Sequence, residues 1–357
     1  MRKKPVTIYD IARMANVSVS TVSRVLSNSN YPVSHELKAK IKAVAKELNY
    51  VPNMIGRQLK TNNSMTIGVI VPSISNPFYA DMVMGIEEIA RKNGYHVFLC
   101  NTRQNPQLEA EYFQTLLEKQ VKGLIVSSIS KQKDFLGFYL EKGLNVVAID
   151  QAMDNPEVYQ IGFDYQKGAY LACKHFAEKG HRKIAFITAA LDRPSRIGMF
   201  HGYRQFLLET GITPSEAWMK VSKDPEEQTY SNTFEYHNGR RLARELIGQD
   251  DLPTAILACN DLTAVGVISE FKENGISVPE DISVIGFDNI ELSQMITPAL
   301  TTVHIPKYEM GKAACSTLIR LIRGEKSDRK EWIMQPKLVE RKSVAEIVEA
   351  REGTGIR

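Results

Sequence analysis

From Met65 to Ser343 the chain repeats one pattern: a short, almost unbroken apolar run, then a longer segment with apolar residues at helical spacing. The runs are "TIGVIVP", "YHVFLCN", "GLIVSS", "NVVAID", "YQIGFD", "KIAFITA", "AILACN" and "ISVIGFD". The segments between them include "NPFYADMVMGIEEIARKNG", "EAEYFQTLLEKQ" and "QKGAYLACKHFAEKG". A strand that is apolar on both faces must be covered on both, so the pattern predicts parallel sheet with helices on either side. The runs are too many for one open sheet. A division into two doubly wound lobes near "YQIGFD" follows, with a ligand cleft at the strand carboxyl ends.

The first fifty residues read differently. Three short helices fit and no strand does. In "TIYDIARMA", Thr7 and Asp10 have the spacing of a capping box, and Ile8, Ile11, Ala12 and Ala15 form one stripe. In "SHELKAKIKAVAKELNY", Ser34 caps and Leu37, Ile41, Val44, Ala45 and Leu48 recur at helical spacing. Between them lies "VSVSTVSRVLS", whose Val, Ser and Thr content favours a strand or loop. Strict alternation fails after Ser20, whereas a helix capped by Ser18 places Val22, Val25 and Leu26 on one side. Asn16 tolerates the left-handed backbone of the tight turn before it. The result is a helix-turn-helix whose second helix presents Val19, Ser20, Ser23 and Arg24.

That face suits a major groove. Hydroxyls near a helix N-terminus bind phosphate oxygens, valine methyls touch thymine methyls, and arginine forks onto guanine. An ordinary helical hairpin fits the same periodicity but leaves the charge unexplained. Residues 1–62 hold eleven basic and three acidic side chains, a net +8, while the whole chain carries +4 and the remainder therefore −4. A basic head on a mildly acidic body points to a polyanion as partner of the head alone.

The 357 residues suffice for two or three domains, with boundaries expected at 1–51 (head), 52–64 (hinge and linker, "TNNS" included), 65–343 (two-lobed core) and 344–357 (tail). No apolar run reaches membrane-spanning length and no apolar stretch follows the basic N-terminus, so neither a span nor a secretory leader is expected. Cys100, Cys173, Cys259 and Cys315 lie far apart in apolar surroundings and read as buried thiols of a reducing compartment. The tail has Val344, Ile347 and Val348 at helical spacing without leucine heptads, so no tetramer-forming coiled coil is expected.

"VTIYDIARMANVSVSTVSRVLS", followed by "LNYVPNMIGRQLK", resembles the head and hinge of the LacI/GalR family of bacterial repressors. Further matches run in order through "IGVIVPSISNPFYADMVMGIEEIA", "KGLIVSS", "GHRKIAFI", "CNDLTAVGVI", "VPEDISVIGFDN" and "PALTTVHIP". The resemblance implies a helix-turn-helix head, a hinge helix and a core like periplasmic sugar-binding proteins. It assigns Thr7, Tyr9, Ser18, Thr21, Ser23, Tyr50 and Asn53 to the DNA backbone, and Val19, Ser20 and Arg24 to the bases. Leu59 matches the leucine wedged into the minor groove at the operator centre; by periodicity alone it would equally be a core residue of a fourth helix. Gly56 stands where the family usually has alanine, so the hinge is expected to fold only on DNA.

For the cleft the resemblance points to Ser73, Asn76, Phe78 and Tyr79, and to Asp164, Asn260 and Asp288 at later strand ends. Asn and Asp there suit hydroxyl-rich ligands, and each could equally be a helix cap. Sugar-responsive members carry an arginine where this chain has Met199 in "RIGMFHGYRQF", three residues before Gly202-Tyr203. Arg196, one turn earlier, or Arg193 would have to replace it. Nucleotide-binding, hydrolase and zinc-protease motifs are absent, and His175 and His181 have no further metal ligands in reach of sequence reasoning. No enzyme activity, cofactor or metal is expected. The function implied is a cytoplasmic repressor of carbohydrate-utilisation genes that binds a near-palindromic operator as a homodimer under a small effector. A co-regulator that is a phosphorylated carrier protein is the alternative, and a solute-binding protein the remote one.

Overall fold

The computed structural model describes residues 6–27, 31–51, 64–130, 136–222, 233–325 and 328–347. Asn53, Gly56, Leu59 and the rest of the hinge lie outside the described residues, as does the tail beyond Ile347. The chain forms two compact units that meet in sequence between Ser64 and Met65.

Among its described residues the first unit contains helices and no strand. Helix α1 (Ile8–Ala15) opens with the Thr7 amide donating to the Asp10 carboxylate at 2.9 Å and the Thr7 hydroxyl at 2.7 Å. It ends at Asn16, whose φ of 56° is the left-handed turn expected there. Helix α2 (Val19–Leu26) starts at Ser18, which accepts the Thr21 amide at 3.1 Å; α3 (His35–Glu47) starts at Ser34, which accepts from Leu37. Ile11, Ala12, Ala15, Val22, Val25, Ile41, Val44 and Ala45 form the small core they share. The apolar stripe therefore overrides the poor helix propensity of "VSVSTVSRVLS", because packing outweighs a few tenths of a kcal/mol per residue.

The second unit holds two six-stranded sheets. Its strands among the described residues are β1 (Thr66–Val71), β2 (His96–Asn101), β3 (Gly123–Val126), β4 (Asn145–Ile149), β5 (Tyr159–Phe163) and β6 (Ile184–Thr188). Then come β7 (Met219–Val221), β8 (Ala255–Ala258), β9 (Ser283–Asp288), β10 (Thr301–His304), β11 (Glu331–Met334) and β12 (Lys337–Val339). The sheet of the first lobe runs β11-β5-β4-β3-β1-β2, and that of the second β12-β10-β9-β8-β6-β7. Every pairing is parallel except that of β10 with β12.

The covering helices are α4 (Pro77–Lys92), α5 (Pro106–Glu118), α6 (Gly137–Glu141), α7 (Tyr165–Glu178), α8 (Pro194–Glu209), α9 (Phe234–Ile247), α10 (Asp261–Glu273), the short α11 (Leu292–Met295) and α12 (Lys307–Ile322). The expected division near "YQIGFD" is the first crossing, after β5. The chain then crosses back: α12 packs on α4 and β4 of the first lobe, β11 joins that sheet beside β5, and β12 returns to the second. One division point does not describe the fold, because the final runs are too short and too polar to read as strands; β11 and β12 are half-exposed edges. All four cysteines are buried free thiols.

Helix pairs approach through glycine. A methyl at Gly202 on α8 would stand 1.9 Å from the Gln166 carbonyl oxygen on α7. Gly85 and Gly311 play the same part between α4 and α12, where an added methyl on either would stand 2.1 Å from a facing carbonyl oxygen. Gly202→Ala is therefore expected to destabilise the core by ~1–3 kcal/mol, since backbone rather than a flexible side chain must give way. Thermal unfolding checks this, and an unchanged melting temperature would show that α7 and α8 part freely.

Candidate DNA-reading and effector sites

In the head, folding sorts the DNA candidates by exposure. Thr7, Tyr9, Ser18, Ser20 and Arg24 are exposed, and Thr21 and Ser23 are half-exposed. Val19 and Tyr50 are partly buried and pack against the helical core, which leaves only part of each side chain for a partner. The Ser18 hydroxyl lies 2.8 Å from those of Ser20 and Thr21, so three hydroxyls cluster at the N-terminus of α2 beside its free amides. This arrangement can bind phosphate oxygens while the rest of the exposed face meets base edges.

In the core, the carboxyl ends of β1, β4, β8 and β9 converge on a cleft. Of the expected residues, Ser73, Asn76, Phe78, Tyr79, Arg196, Asn260 and Asp288 line it. Asp164 does not: it caps α7 by accepting the Lys167 amide at 2.9 Å and faces a neighbouring hollow. Asn76 and Asn260 do both jobs, capping α4 and α10 while lining the cleft. Sequence reasoning missed Asp150, Gln151, Tyr165, Ser195, Phe234 and Glu235.

Asp150 is the centre of the missed set. It sits just past β4 with a φ of 68°, and its carboxylate accepts from Tyr79 and Ser127 at 3.2 Å, from Gln151 at 2.8 Å, and from Tyr165. Gln151 carries the network to the second lobe, donating to the Ser195 hydroxyl at 3.0 Å. Burial raises the Asp150 carboxyl above its ordinary range against the pull of these donors. Burial and the charge of Asp150 push the Tyr79 and Tyr165 phenols up, so both remain donors.

Asp288, at the end of β9, contrasts with it. The residue is 8% exposed and its carboxylate lines the cleft without a hydrogen bond from any described residue, while burial and the nearby charge of Asp261 raise its pKa well above the carboxylate range. Its φ of 105° and the 53° of Asn289 turn two successive carbonyls toward the buried Lys307 ammonium, at 3.0 and 2.9 Å. Lys307 also meets Asp81 of α4 at 3.5 Å, so it ties this corner to the first lobe. Below lies Asp261, raised to about 7 by burial, accepting from Thr302 at 2.6 Å and the Ile290 amide at 2.8 Å.

Met199 is buried in the cleft lining. Arg196 reaches the same space but is committed to Asp192 at 3.2 Å and Glu235 at 3.1 Å. Arg193 donates to Gln104 at 2.7 Å.

Comparison with known proteins shows the family. The model of the lacI family of bacterial regulatory proteins matches residues 7–53, and that of the periplasmic binding protein-like domain matches residues 173–344. The HTH-type transcriptional repressor PurR of Aliivibrio salmonicida is 36% identical over 340 residues, covering 95% of this chain and 98% of that protein. The chain belongs to the lacI family of bacterial regulatory proteins. The lac repressor dimer bound to operator and the anti-inducer ONPF superposes with a TM-score of 0.83 at 27% identity, covering 96% of this chain and 100% of that one. Transcription regulator CcpA of Lactococcus lactis gives 0.70 at 27% identity, covering 78% and 98%.

This lacI-family chain is a DNA-binding transcriptional repressor with a ligand-binding core, and not an enzyme. Its partners include DNA and a small molecule. No helix among the described residues is long and apolar enough to cross a membrane.

Proposed function

We propose that this repressor acts as a homodimer on a near-palindromic operator in the cytoplasm, and that its cleft takes an uncharged ring carrying adjacent O–H or N–H donors. The observation that supports the ligand class is the Asp288 carboxylate, which lines the cleft and takes no hydrogen bond from the described residues. Once a ligand covers it, such a group is costly unless that ligand supplies donors, and two adjacent donors satisfy both oxygens. The aromatic lining of Phe78, Tyr79, Tyr165 and Phe234, with Met199, suits the flat or C–H face of a ring.

Anionic ligands fit poorly. Asp288, Asp150 and Glu235 line the same space, and the guanidinium of Arg196 already serves Asp192 and Glu235. A methionine where sugar-responsive members carry arginine removes the strongest anchor for a carboxylate or a vicinal diol, which leaves Asp288 to hold adjacent donors. Dimerisation is supported by the lac repressor, which is a dimer in its operator complex, and by Phe98 and Leu99, which stand exposed on the edge strand β2. A second copy would cover that edge and double the bases read.

Thermal-shift screening of the intact protein tests the ligand class, with free sugars, nucleobases, nucleosides and sugar phosphates as separate arms. Uncharged rings are expected to raise the melting temperature, and the arm that does so separates hydroxyl-rich from nitrogen-rich ligands. Stabilisation by the sugar phosphates alone would overturn the proposal.

A further inference from the structure

Arg24 lies in the last turn of α2 with its side chain exposed. Its guanidinium carbon stands 4.0 Å from the centroid of the Tyr31 ring. Among the described residues that ring is the only partner of the guanidinium, and no carboxylate or carbonyl accepts from it. The acid at the start of α1, Asp10, is engaged by Thr7 and Arg13 instead.

Tyr31 itself is 51% exposed and takes no part in the head's core. Its position comes from the backbone: Pro32 follows it and confines Tyr31 to extended conformations, ahead of the Ser34 cap of α3. An exposed tyrosine held this way, with its face against the one arginine of α2, has no packing role to explain it.

We propose that Tyr31 is a positioning residue for sequence readout: its ring face holds the Arg24 guanidinium and leaves every N–H of the fork free for a base. A cation–π contact uses the face of the guanidinium plane, whereas base pairing uses its edge, so the two are compatible at once. A carboxylate in the same place would occupy the edge, repel the DNA backbone and have to be released on binding. Holding the plane beforehand also removes rotamer freedom that the arginine would otherwise lose at the groove. The inference rests on Arg24 being a base contact, and the test separates the two.

Full-length protein and its Tyr31→Leu, Tyr31→Phe, Tyr31→Trp and Arg24→Ala variants would each be titrated with a duplex selected from a random library by the unaltered protein, and with its single-base-pair variants. Arg24→Ala identifies the position that Arg24 reads. Tyr31→Leu is expected to lower discrimination at that position by about 2- to 5-fold, leaving other positions and the salt dependence unchanged. Tyr31→Phe and Tyr31→Trp keep a ring face and should retain discrimination. Equal losses in the leucine and phenylalanine variants would assign the phenol, not the ring, to DNA and overturn the proposal. So would a leucine variant with intact discrimination or with a uniform loss at all positions. If Arg24→Ala shows no position-specific loss, the reading of Arg24 itself fails, and the assignment of Tyr31 falls with it.

Discussion

Replacing Arg24 by alanine is expected to weaken binding to the preferred operator by roughly 1–3 kcal/mol in each half-site, and to flatten base preference at one position of each. Arg24 is the one cation on α2, it is exposed, and no acid among the described residues holds its fork. A bidentate pair to one base loses two charge-assisted hydrogen bonds when truncated, and symmetry repeats the loss in the second half-site. The salt dependence should stay nearly unchanged, because a base contact releases few counterions. Competition binding against single-base-pair variants at two salt concentrations reads both quantities. A loss shared by all sequences, with a shallower salt slope by about 1, would make Arg24 a phosphate contact instead.

The small residues around it behave differently. Ser20 and Thr21 each bond the Ser18 hydroxyl at the start of α2, so these hydroxyls are oriented before DNA arrives. Truncating one of them should lower affinity without changing base preference, since phosphate contacts set register and carry little sequence information.

The head was legible residue by residue because each signal in it is local. A capping box is a three-residue spacing, a left-handed turn needs an asparagine, and a helical stripe repeats within eight residues. All three appear where "TIYDIARMANVSVSTVSRVL" puts them. Val19 shows the boundary of that logic. Its spacing places it on the DNA face, yet the head's core covers part of it, because the turn at Asn16-Val17 brings it back toward the core.

The core divides along the same line. Apolar runs announce β1, β4, β8 and β9, and hence where a cleft lies. What fills the cleft depends on partners far apart in sequence, such as Gln151 with Ser195. Asp150 ends "NVVAID" as Asp288 ends "ISVIGFD", so the argument that picked one acid applied equally to the other. The two then differ by environment: four donors surround Asp150, and none among the described residues bonds the Asp288 carboxylate. Asp164 ends a strand too and became a cap, because the helix that follows offers it an amide. A strand-terminal acid is therefore a common precursor of a cap, a structural hub and a ligand anchor. Only the surrounding donors decide between them.

Asp288→Asn is accordingly expected to stabilise the ligand-free core while abolishing its response to ligand. Asparagine keeps the shape, tolerates the positive φ of 105°, and removes a charge buried beside Asp261, Asp150 and Glu235 and opposed by Lys307. Between the ordinary carboxyl pKa and the raised folded value, the folded chain holds a proton that the unfolded chain has lost. The wild-type acid therefore lowers stability progressively as pH rises through that window, and in full only above the folded pKa. The advantage of the asparagine variant should follow the same course, small near pH 4 and growing to ~1–3 kcal/mol above neutrality. Burial lowers the pKa of His175, His181 and His304, but these residues are common to both proteins and cancel in the difference. Denaturant unfolding of both proteins from about pH 4 to pH 8 measures the curve. An advantage independent of pH would mean that Asp288 is held at its ordinary pKa by a partner. An asparagine variant that still binds the ligand as tightly would show that donors to Asp288 are not what the cleft recognises.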